Sequence, residues 1–310
     1  MSIIRAAMTQ TINAYPDMPG SIDALSQLAG DLDAIRQSNV NHNIELAGIA
    51  ADSGADVICF GELFTAPYFA LSRDPMWIAL AEDARTGPTI SAVSEAAARL
   101  GIVIIAPIYE LDPSTGNRFN TAVVIDADGA FLGKYRKAHI PVGTNEQARF
   151  DERFYYGPSE LPQNESSPNI LGENPSFPVF RTAAGDLGVA ICYDRHFEGV
   201  VASLSRAGAK IIFCPAVTFG AKSERIWEIE FDVDASRHRV FIGGSNRLGS
   251  ESPWNQPFFG RTLFTGPSGR IADISKDNRV VIADIDLGSL SAEDESGWDL
   301  DRDARPGIYG

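Results

Sequence analysis

The segment formed by residues 187–215 constrains the fold most, because two apolar runs flank a cysteine and a helical pattern. Residues 187–191 are short, apolar and partly β-branched, which predicts a buried parallel strand. Residues 197–207 carry apolar side chains at helical spacing, and Gly208 predicts the end of that helix. Residues 210–214 predict the next strand. This strand–helix–strand order is typical of a parallel sheet in an α/β protein.

Cys192 stands at the junction between the first of these strands and the helix. Open α/β sheets bind ligands at the carboxyl ends of their strands, and a following helix N-terminus favours the thiolate through its dipole. A free cysteine also serves often as a small core residue, an interpretation that suits Cys59 and Cys214 in their apolar strands. Cys192 differs because residues 193–197 after it are polar or aromatic. Position alone leaves both a nucleophile and a core residue open.

The alternation of helix and strand continues through the chain. We predict helices within residues 35–54, 89–100 and 223–239, and strands at residues 3–9, 56–60, 102–107 and 241–246. Residues 120–126 and 130–135 are joined by an Asp-Gly turn within residues 127–129, which favours a hairpin. Strands are also predicted at residues 258–264, 271–273 and 280–285, the last two as a second hairpin across residues 276–278. The pattern predicts an α/β sheet with antiparallel additions.

The charge balance excludes several classes of function. The 310 residues include 26 Lys and Arg against 41 Asp and Glu, a net charge of −15. This acidity opposes nucleic acid and anionic membrane surfaces, which bind clustered Lys and Arg. No apolar run approaches the ~18 residues of a membrane span, and no signal-peptide pattern is present, so we expect a cytoplasmic protein without membrane contacts.

Cysteine and histidine positions argue against a metal. The three cysteines form no CxxC pair, and the four histidines show no ligand spacing. We therefore expect neither a disulfide framework nor a metal or other cofactor. His139, beside Ile140 and Pro141, is interpreted as a structural hydrogen-bonding residue.

Two further polar residues end apolar runs as Cys192 does. Glu62 follows the strand predicted at residues 56–60, and Lys137 lies among the cations of residues 133–141, after the hairpin. A carboxylate that takes the thiol proton, a thiolate that attacks a carbonyl carbon and an ammonium that holds the oxyanion form a coherent set. Taken singly, Glu62 is also explained as a capping or solvated carboxylate, and Lys137 as a surface cation.

Three segments in this order resemble the motifs of the nitrilase superfamily of carbon–nitrogen hydrolases, namely residues 60–64, 135–141 and 188–194. The resemblance covers nearly the full length. It implies an α/β fold, the four-layer α-β-β-α sandwich, as a single domain over residues 1–310. The catalytic roles that it implies are general base for Glu62, oxyanion stabiliser for Lys137 and nucleophile for Cys192.

The family also has a second glutamate between its lysine and its cysteine. Glu152 fits that place and is preferred to Glu146. The resemblance further implies that the Tyr193 N–H contributes to the oxyanion hole beside Lys137. Members usually assemble as homodimers or larger homo-oligomers, and the aromatic tail of residues 298–310 is predicted to dock on a neighbouring subunit.

Residues near the nucleophile indicate a branch of the family. Residues 191–196, 208–215 and 246–249 most resemble the N-carbamoyl-amino-acid hydrolases, particularly β-ureidopropionase. The resemblance implies cleavage of a non-peptide C–N bond in an N-carbamoyl (ureido) acid, with release of ammonia. A shorter N-terminus and a different tail leave the exact substrate open. The alternatives are an aliphatic amidase or nitrilase of the same superfamily, and a catalytically silent binding module, against which the intact catalytic set argues.

Arg195 indicates what the substrate carries. It lies three residues after the nucleophile, where an arginine is costly to bury unless an anion pairs with it. Its planar fork suits a carboxylate, so we predict a small carboxylate-bearing amide or ureido substrate and exclude cationic carbamoyl-polyamines. A salt bridge to Asp194 or Glu198 is the alternative.

Two loops are predicted to wall the pocket. Residues 159–178 and 249–259 are the candidates, because long loops at sheet ends carry specificity. Trp254 is the predicted substrate contact in the second loop, and Asn246 is a further predicted substrate-binding residue. An idle surface loop is the alternative for residues 159–178.

Overall fold

The computed structural model of the chain describes residues 3–159, 167–293 and 296–308. Within these ranges the α-helices are α1 (Leu32–Asp52), α2 (Pro88–Leu100), α3 (Glu198–Arg206), α4 (Ala221–His238) and α5 (Leu300–Asp303). The first strands are β1 (Ile3–Thr9), β2 (Val57–Cys59), β3 (Val103–Leu111), β4 (Arg118–Ile125), β5 (Phe131–Arg136), β6 (Val142–Thr144), β7 (Arg149–Asp151) and β8 (Ile170–Leu171). The later strands are β9 (Val179–Thr182), β10 (Gly185–Val189), β11 (Ile211–Pro215), β12 (Phe241–Ser245), β13 (Leu248–Glu251), β14 (Gln256–Phe259), β15 (Leu263–Gly266), β16 (Gly269–Ile271) and β17 (Val280–Asp286).

Most of these strands belong to two large sheets. The first sheet has the order β17-β1-β2-β3-β4-β5, and the second has the order β16-β15-β12-β11-β10-β9-β8. Strands β1, β2 and β3 run parallel in the first sheet, as do β10, β11 and β12 in the second, and antiparallel strands extend both sheets. Two short hairpins, β6–β7 and β13–β14, are separate from them. The predicted parallel units with antiparallel additions are confirmed.

The two faces of the first sheet border different hydrophobic cores. Along β1, Ala6 and Met8 belong to the core that the two sheets share, whereas Ala7 belongs to a second core with residues of α1 and α2. This two-residue period places the second sheet on one face and two helices on the other. Helix α4 contacts α3 and also β12 and β15 of the second sheet. The fold is a four-layer α-β-β-α sandwich, as predicted.

Gly243 and Gly244 in β12 show how closely the layers approach one another. A Cβ added at Gly243 would lie 2.7 Å from Met8 Sδ of the first sheet and 2.5 Å from Phe264 Cε1. One added at Gly244 would lie 2.5 Å from Phe231 Cε2 of α4. The two glycines therefore point to opposite faces of the second sheet. Close approach requires glycine at both positions, because no other residue leaves this space free.

The predicted hairpin of residues 271–273 with residues 280–285 is wrong, because the two segments belong to different sheets. Strand β16 pairs with β15 in the second sheet, and β17 pairs with β1 in the first, where Val280 lies opposite Thr9. The turn residues 276–278 therefore lie in a crossing between the sheets. Local sequence favours a hairpin there, whereas the pairing of β17 depends on a strand at the other end of the chain.

The C-terminal tail is described as far as residue 308. Trp298 is 69% exposed and precedes α5, whereas Tyr309 lies outside the described residues. Docking of this tail on a neighbouring subunit, assembly as a homo-oligomer and a single domain over the whole chain stay predictions. Among the helices in the described ranges, none combines the length and the apolar character that a bilayer span requires.

Replacing Gly243 by alanine is expected to destabilise the fold, because the methyl group has no room between Met8 and Phe264. Overpacking of this kind costs about 1–3 kcal/mol. Gly48 in α1 is the control, because a Cβ there meets nothing within 4 Å and alanine stabilises a helix interior by about 0.5–1 kcal/mol. Urea unfolding measures both changes. A Gly243→Ala protein as stable as the wild type would contradict the close contact between the two sheets.

Candidate active site

Cys192 lies on a sharp turn after β10. Its backbone has a φ of 51°, in the left-handed region that residues other than glycine rarely adopt. A short 3-10 turn, Cys192–His196, follows, and α3 begins only at Glu198. Backbone strain of this kind persists only where surrounding contacts maintain it, and such places cluster at functional sites.

Asp194 supplies contacts that maintain the turn. Its carboxylate is buried, and Oδ2 accepts hydrogen bonds from Tyr135 Oη (2.7 Å) and Ile191 N (3.0 Å). Oδ1 accepts one from His139 N (3.0 Å) and lies 2.7 Å from His139 Nδ1. The His139 ring also stacks on Phe197, with 3.7 Å between ring centroids. His139 thus has the structural role predicted for it, and it joins the lysine segment to the turn of the cysteine.

Glu62, Lys137 and Glu152 form a buried cluster. Lys137 Nζ lies 2.8 Å from Glu62 Oε1 and 2.7 Å from Glu152 Oε2, and none of the three side chains is more than 1% exposed. One positive charge thus meets two negative charges away from water, where their attraction is strong. Glu146 is instead exposed and accepts a hydrogen bond from Ala221 N. Of the two candidate glutamates, the structure brings Glu152 to Lys137.

Neutral donors complete this cluster. Asn120 Nδ2 donates to Glu62 Oε1 (2.7 Å), and the Val217 N–H donates to Glu62 Oε2 (2.6 Å). Tyr68 Oη donates to Glu152 Oε1 (2.9 Å). Buried carboxylates need such partners on their remaining lone pairs. Sequence patterns do not single out these donors, because they reach the cluster from distant parts of the chain.

The electrostatic environment keeps the Cys192 thiol protonated. Burial and the neighbouring Glu62 raise the pKa of Cys192 well above its usual value, although Lys137 and Arg195 oppose them. Burial lowers the pKa of Lys137, but Glu152 and Glu62 outweigh it and raise that pKa well above its usual value, so the ammonium stays charged. The sequence predicts that the N-terminus of the following helix favours a thiolate at Cys192. The raised pKa is opposite to this prediction. Helix α3 begins only six residues after Cys192.

Burial also acts on the second carboxylate of the cluster. It raises the pKa of Glu152, while the Lys137 ammonium lowers it. The net result is a pKa of Glu152 above its usual value, because burial outweighs the neighbouring ammonium.

Cys192 borders a cavity of about 510 Å³, a volume suited to a small molecule. Glu152, Tyr193 and Arg195 line the same cavity, so the structure brings these predicted site residues together. The remaining walls come mainly from residues 141–150, which include β6, from residues 217–226 after β11, and from α4.

The described parts of the two loops that were predicted as pocket walls lie elsewhere. None of the described residues of 159–178 or 249–259 lines the cavity, and residues 160–166 lie outside the described residues. Trp254 packs against Trp77 with 6.2 Å between ring centroids, within an aromatic cluster. Its predicted substrate contact is corrected accordingly. Loop composition indicates a surface position but does not tell which cavity a loop borders.

Asn246 acts through a neighbour instead of lining the cavity. Its Oδ1 accepts from Thr218 N (3.0 Å) and its Nδ2 donates to Thr218 O (3.0 Å). Both backbone groups of Thr218, which does line the cavity, are therefore held by one buried amide. Asn246 is a positioning residue, and its predicted contact with substrate is corrected.

Arg247 holds the backbone that carries Glu62. Its Nη2 lies 3.3 Å from Glu62 O, 3.2 Å from Leu63 O and 3.0 Å from Ala66 O, and donates to them. Its Nη1 pairs with the buried Glu251. Leu63 has a φ of 49°, so the turn after Glu62 is strained as the turn at the cysteine is. In the sequence, Arg247 stands out only as part of residues 246–249, which resemble a family branch, and that pattern does not reveal this role.

Arg195 lines the cavity, and its ionic partner in the protein is neither of the two residues given as the alternative to a substrate carboxylate. Its Nε lies 3.4 Å from Glu230 Oε2 of α4. Its Nη1 donates to Cys192 O (2.8 Å) and its Nη2 to Thr218 Oγ1 (3.3 Å). The carboxylate of Asp194 is occupied by the turn, so the alternative pairing of Arg195 with Asp194 is not what the structure shows. Arg195 therefore holds the backbone carbonyl of Cys192 by a hydrogen bond and also lines the cavity.

Comparison with known proteins identifies the family. A family model described as carbon-nitrogen hydrolase matches residues 24–292, so the chain belongs to the carbon–nitrogen hydrolase family. N-carbamoylputrescine amidase from Arabidopsis thaliana is 31% identical over 88% of this chain and 89% of its own length. β-Ureidopropionase from the same plant is 29% identical over 99% of this chain and 72% of its own length.

A solved structure agrees with the fold. The carbon–nitrogen hydrolase from Helicobacter pylori matches with a TM-score of 0.77 at 23% identity, over 99% of this chain and 97% of the other. Family and relatives together show that the chain is an enzyme acting on non-peptide carbon–nitrogen bonds, as its motifs implied.

Glu62→Gln is expected to lower the pKa of Cys192, because the substitution removes a negative charge that raises it and leaves Lys137 and Arg195 in place. The direction of this shift is the expected result, because a negative charge close to a thiol disfavours its thiolate form. Ultraviolet thiolate absorbance followed against pH measures it, with Cys192→Ala subtracting the signal of the other cysteines. An unchanged or higher pKa in Glu62→Gln would show that the two groups are not coupled.

Proposed function

We propose that the chain hydrolyses an N-carbamoyl (ureido) acid through a covalent intermediate on Cys192 and releases ammonia. The observation that carries this proposal is the meeting of Cys192 and Glu152 in one cavity, with Lys137 between Glu152 and Glu62 behind it. A nucleophile, a base and a fixed cation are the groups that acyl transfer needs. Arg195 in the same wall supplies an anchor for a substrate carboxylate.

In the first half of the reaction Glu62 accepts the thiol proton of Cys192, and the sulfur bonds to the carbamoyl carbon. The carbonyl electron pair moves to oxygen, where Lys137 and the Tyr193 N–H stabilise the negative charge. When the tetrahedral intermediate collapses, the C–N bond breaks and the leaving amine takes the proton from Glu62. The carbamoyl group remains on Cys192 as a thioester-like intermediate.

In the second half water replaces the amine. Glu62 takes a proton from the water as its oxygen bonds to the carbamoyl carbon, and the C–S bond breaks with return of the proton to Cys192. The released carbamic acid decomposes to ammonia and carbon dioxide. Glu152 holds Lys137 through both halves, since its Oε2 lies 2.7 Å from Lys137 Nζ while Tyr68 holds its other oxygen.

The names of the relatives favour a carbamoyl or ureido group as the group that is cleaved, but they do not agree on the rest of the substrate. N-carbamoylputrescine amidase and β-ureidopropionase both carry a carbamoyl or ureido substrate in their names, which favours this group over a plain amide or nitrile. The named substrates differ in charge, because the first is an amine and the second an acid. The guanidinium of Arg195 in the cavity wall suits a carboxylate, so we assign the acid class to this chain.

Cys192→Ala is expected to abolish turnover without unfolding the chain, because the covalent step has no other nucleophile. Cys59→Ala is the control, since Cys59 is buried in β2 and is expected to keep most activity. Lys137→Met is expected to lower kcat by about 10²-fold or more, the scale for one oxyanion donor. Ammonia release from ureido acids, amides and nitriles measures all three variants.

The same assay identifies an incorrect assignment. Cys192→Ala enzyme that retains more than a few per cent of wild-type turnover would exclude Cys192 as the nucleophile. A preference of the wild type for uncharged amides or nitriles would favour an aliphatic amidase or nitrilase. No ammonia release from any compound would favour a binding module.

Arg195→Ala is expected to raise KM for carboxylate-bearing ureido acids by about 10²-fold, a loss of roughly 2–3 kcal/mol for a charged hydrogen-bonded pair. Uncharged amides provide the control, because they lack the anion and their KM is expected to change little. Any loss of kcat common to both substrate types reports the bond from Arg195 to Cys192 O. Equal increases of KM for the two types would assign Arg195 a structural role only.

A further inference from the structure

Glu251 is a buried carboxylate to which the proposed reaction gives no part. It ends β13, is 2% exposed and does not line the cavity around Cys192. Its Oε1 accepts a hydrogen bond from Asn13 N (2.8 Å) and pairs with Arg247 Nη1, and its Oε2 accepts from Tyr68 N (2.8 Å). A carboxylate away from water needs such partners on both oxygens. Here the partners come from separate parts of the chain.

Glu251 and Arg247 together hold one stretch of backbone, residues 62–68. Glu251 Oε2 accepts from the N–H of Tyr68, which ends the stretch. Arg247 Nη2 donates to carbonyl oxygens along the rest of it, those of Glu62, Leu63 and Ala66. The buried ion pair therefore supplies an acceptor to one end of the stretch and a donor to the other.

Both ends of residues 62–68 also contact the buried charge cluster. At the first end, Glu62 Oε1 lies 2.8 Å from Lys137 Nζ. At the other end, Tyr68 Oη donates to Glu152 Oε1 (2.9 Å), and Glu152 Oε2 lies 2.7 Å from the same Lys137 Nζ. The separation of the two carboxylates around the ammonium therefore depends on the conformation of this stretch.

Local backbone structure does not fix that conformation. Residues 62–68 form neither a helix nor a strand, so no regular ladder of backbone hydrogen bonds holds them. Leu63 has a φ of 49°, in a region that persists only where surrounding contacts maintain it. The pair of Glu251 and Arg247 supplies such contacts, and separating two buried opposite charges is costly. This pair is therefore a rigid support for the stretch.

We propose that Glu251 is a positioning residue, which sets the places of Glu62 and Glu152 on either side of Lys137 without contact to the substrate. The inference rests on the proposed function, in which Glu62 transfers protons and Glu152 holds Lys137. Because Glu251 does not line the cavity, substrate binding does not depend on it directly. Its removal acts on kcat and leaves KM nearly unchanged.

Glu251→Gln in the full chain tests this effect, because the amide keeps the size of the side chain but removes its charge and one acceptor. We expect kcat for ammonia release from ureido acids to fall about tenfold or more, since a displacement of about 1 Å at a reacting group costs about 10²-fold. KM is expected to stay within about threefold, as it does when uniform binding is kept.

Glu82→Gln is the matched control for this variant. Glu82 is also a buried carboxylate, accepts from Thr89 N (2.9 Å) and lies near Arg36, but it does not line the cavity. Its kcat is expected to match that of the wild type.

Glu251→Asp provides a second variant, because Glu251→Gln leaves Arg247 buried without its ionic partner and can prevent folding. Aspartate keeps the charge that Arg247 needs, but its side chain is one methylene shorter and does not reach every partner. We expect this variant to fold and to show a lowered kcat as well.

The thiol of Cys192 gives a readout that needs no substrate. Because Glu62 raises the pKa of Cys192, a Glu62 that is no longer held in place is expected to raise it less. In Glu251→Gln and Glu251→Asp the pKa of Cys192 is therefore expected to fall toward its value in Glu62→Gln. Ultraviolet thiolate absorbance against pH measures it, with the Cys192→Ala background subtracted.

Tyr68→Phe tests the connection to Glu152, since it removes the hydroxyl and keeps the backbone N–H that Glu251 binds. The effects of Tyr68→Phe and Glu251→Gln on kcat are expected to combine to less than their product, because both act on Glu152. Full multiplication of the two effects would contradict this connection.

The outcomes separate this inference from the proposed function. If kcat in the Glu251 variants falls no more than in Glu82→Gln, or if KM rises in place of a fall in kcat, the positioning role is overturned while ureido-acid hydrolysis stands. An unchanged pKa of Cys192 in those variants overturns it too. If the wild type releases no ammonia from ureido acids, the proposed function fails, and the pKa of Cys192 alone then decides the positioning role.

Discussion

The burial of Lys137 between Glu62 and Glu152 is the interaction on which the rest of the site depends. Two carboxylates and one ammonium are shielded from water here, so each must keep its partners within hydrogen-bond distance. Removing one partner from such a group costs about 3–5 kcal/mol, because a charge is then left buried and unpaired. Arg247 accordingly holds the backbone of the turn at Glu62, and the Tyr68 hydroxyl holds the carboxylate of Glu152.

The same requirement explains why the site lies where the two sheets come together. Glu62 follows β2 and Lys137 follows β5, both in the first sheet, whereas Cys192 follows β10 in the second. Only the packing of one sheet on the other brings the cysteine to the carboxylates. Asp194 connects the two sheets through hydrogen bonds to its carboxylate. Tyr135 of β5 and His139, which follows β5, donate from the first sheet, and Ile191, which follows β10, donates from the second.

Sequence predicts those features of this protein that depend on local pattern or on motif order. Apolar periodicity finds the principal helices and the parallel strands, and three ordered motifs find Glu62, Lys137 and Cys192. Partners from distant elements are different, because they depend on how layers pack. Glu230 as the partner of Arg195, the pairing of β17 with β1, and the placement of Asn246 and Trp254 away from the cavity wall are all of this kind.

The protonated state of Cys192 has a consequence for the durability of the enzyme. The thiolate is the form that attacks peroxides and disulfides, whereas Cys192 is only 6% exposed and burial and Glu62 raise the pKa of its thiol well above the usual value. We therefore expect sulfenic acid and mixed disulfides to form slowly on Cys192 in the absence of substrate. The burial that keeps this sulfur away from solvent therefore also limits its contact with oxidants.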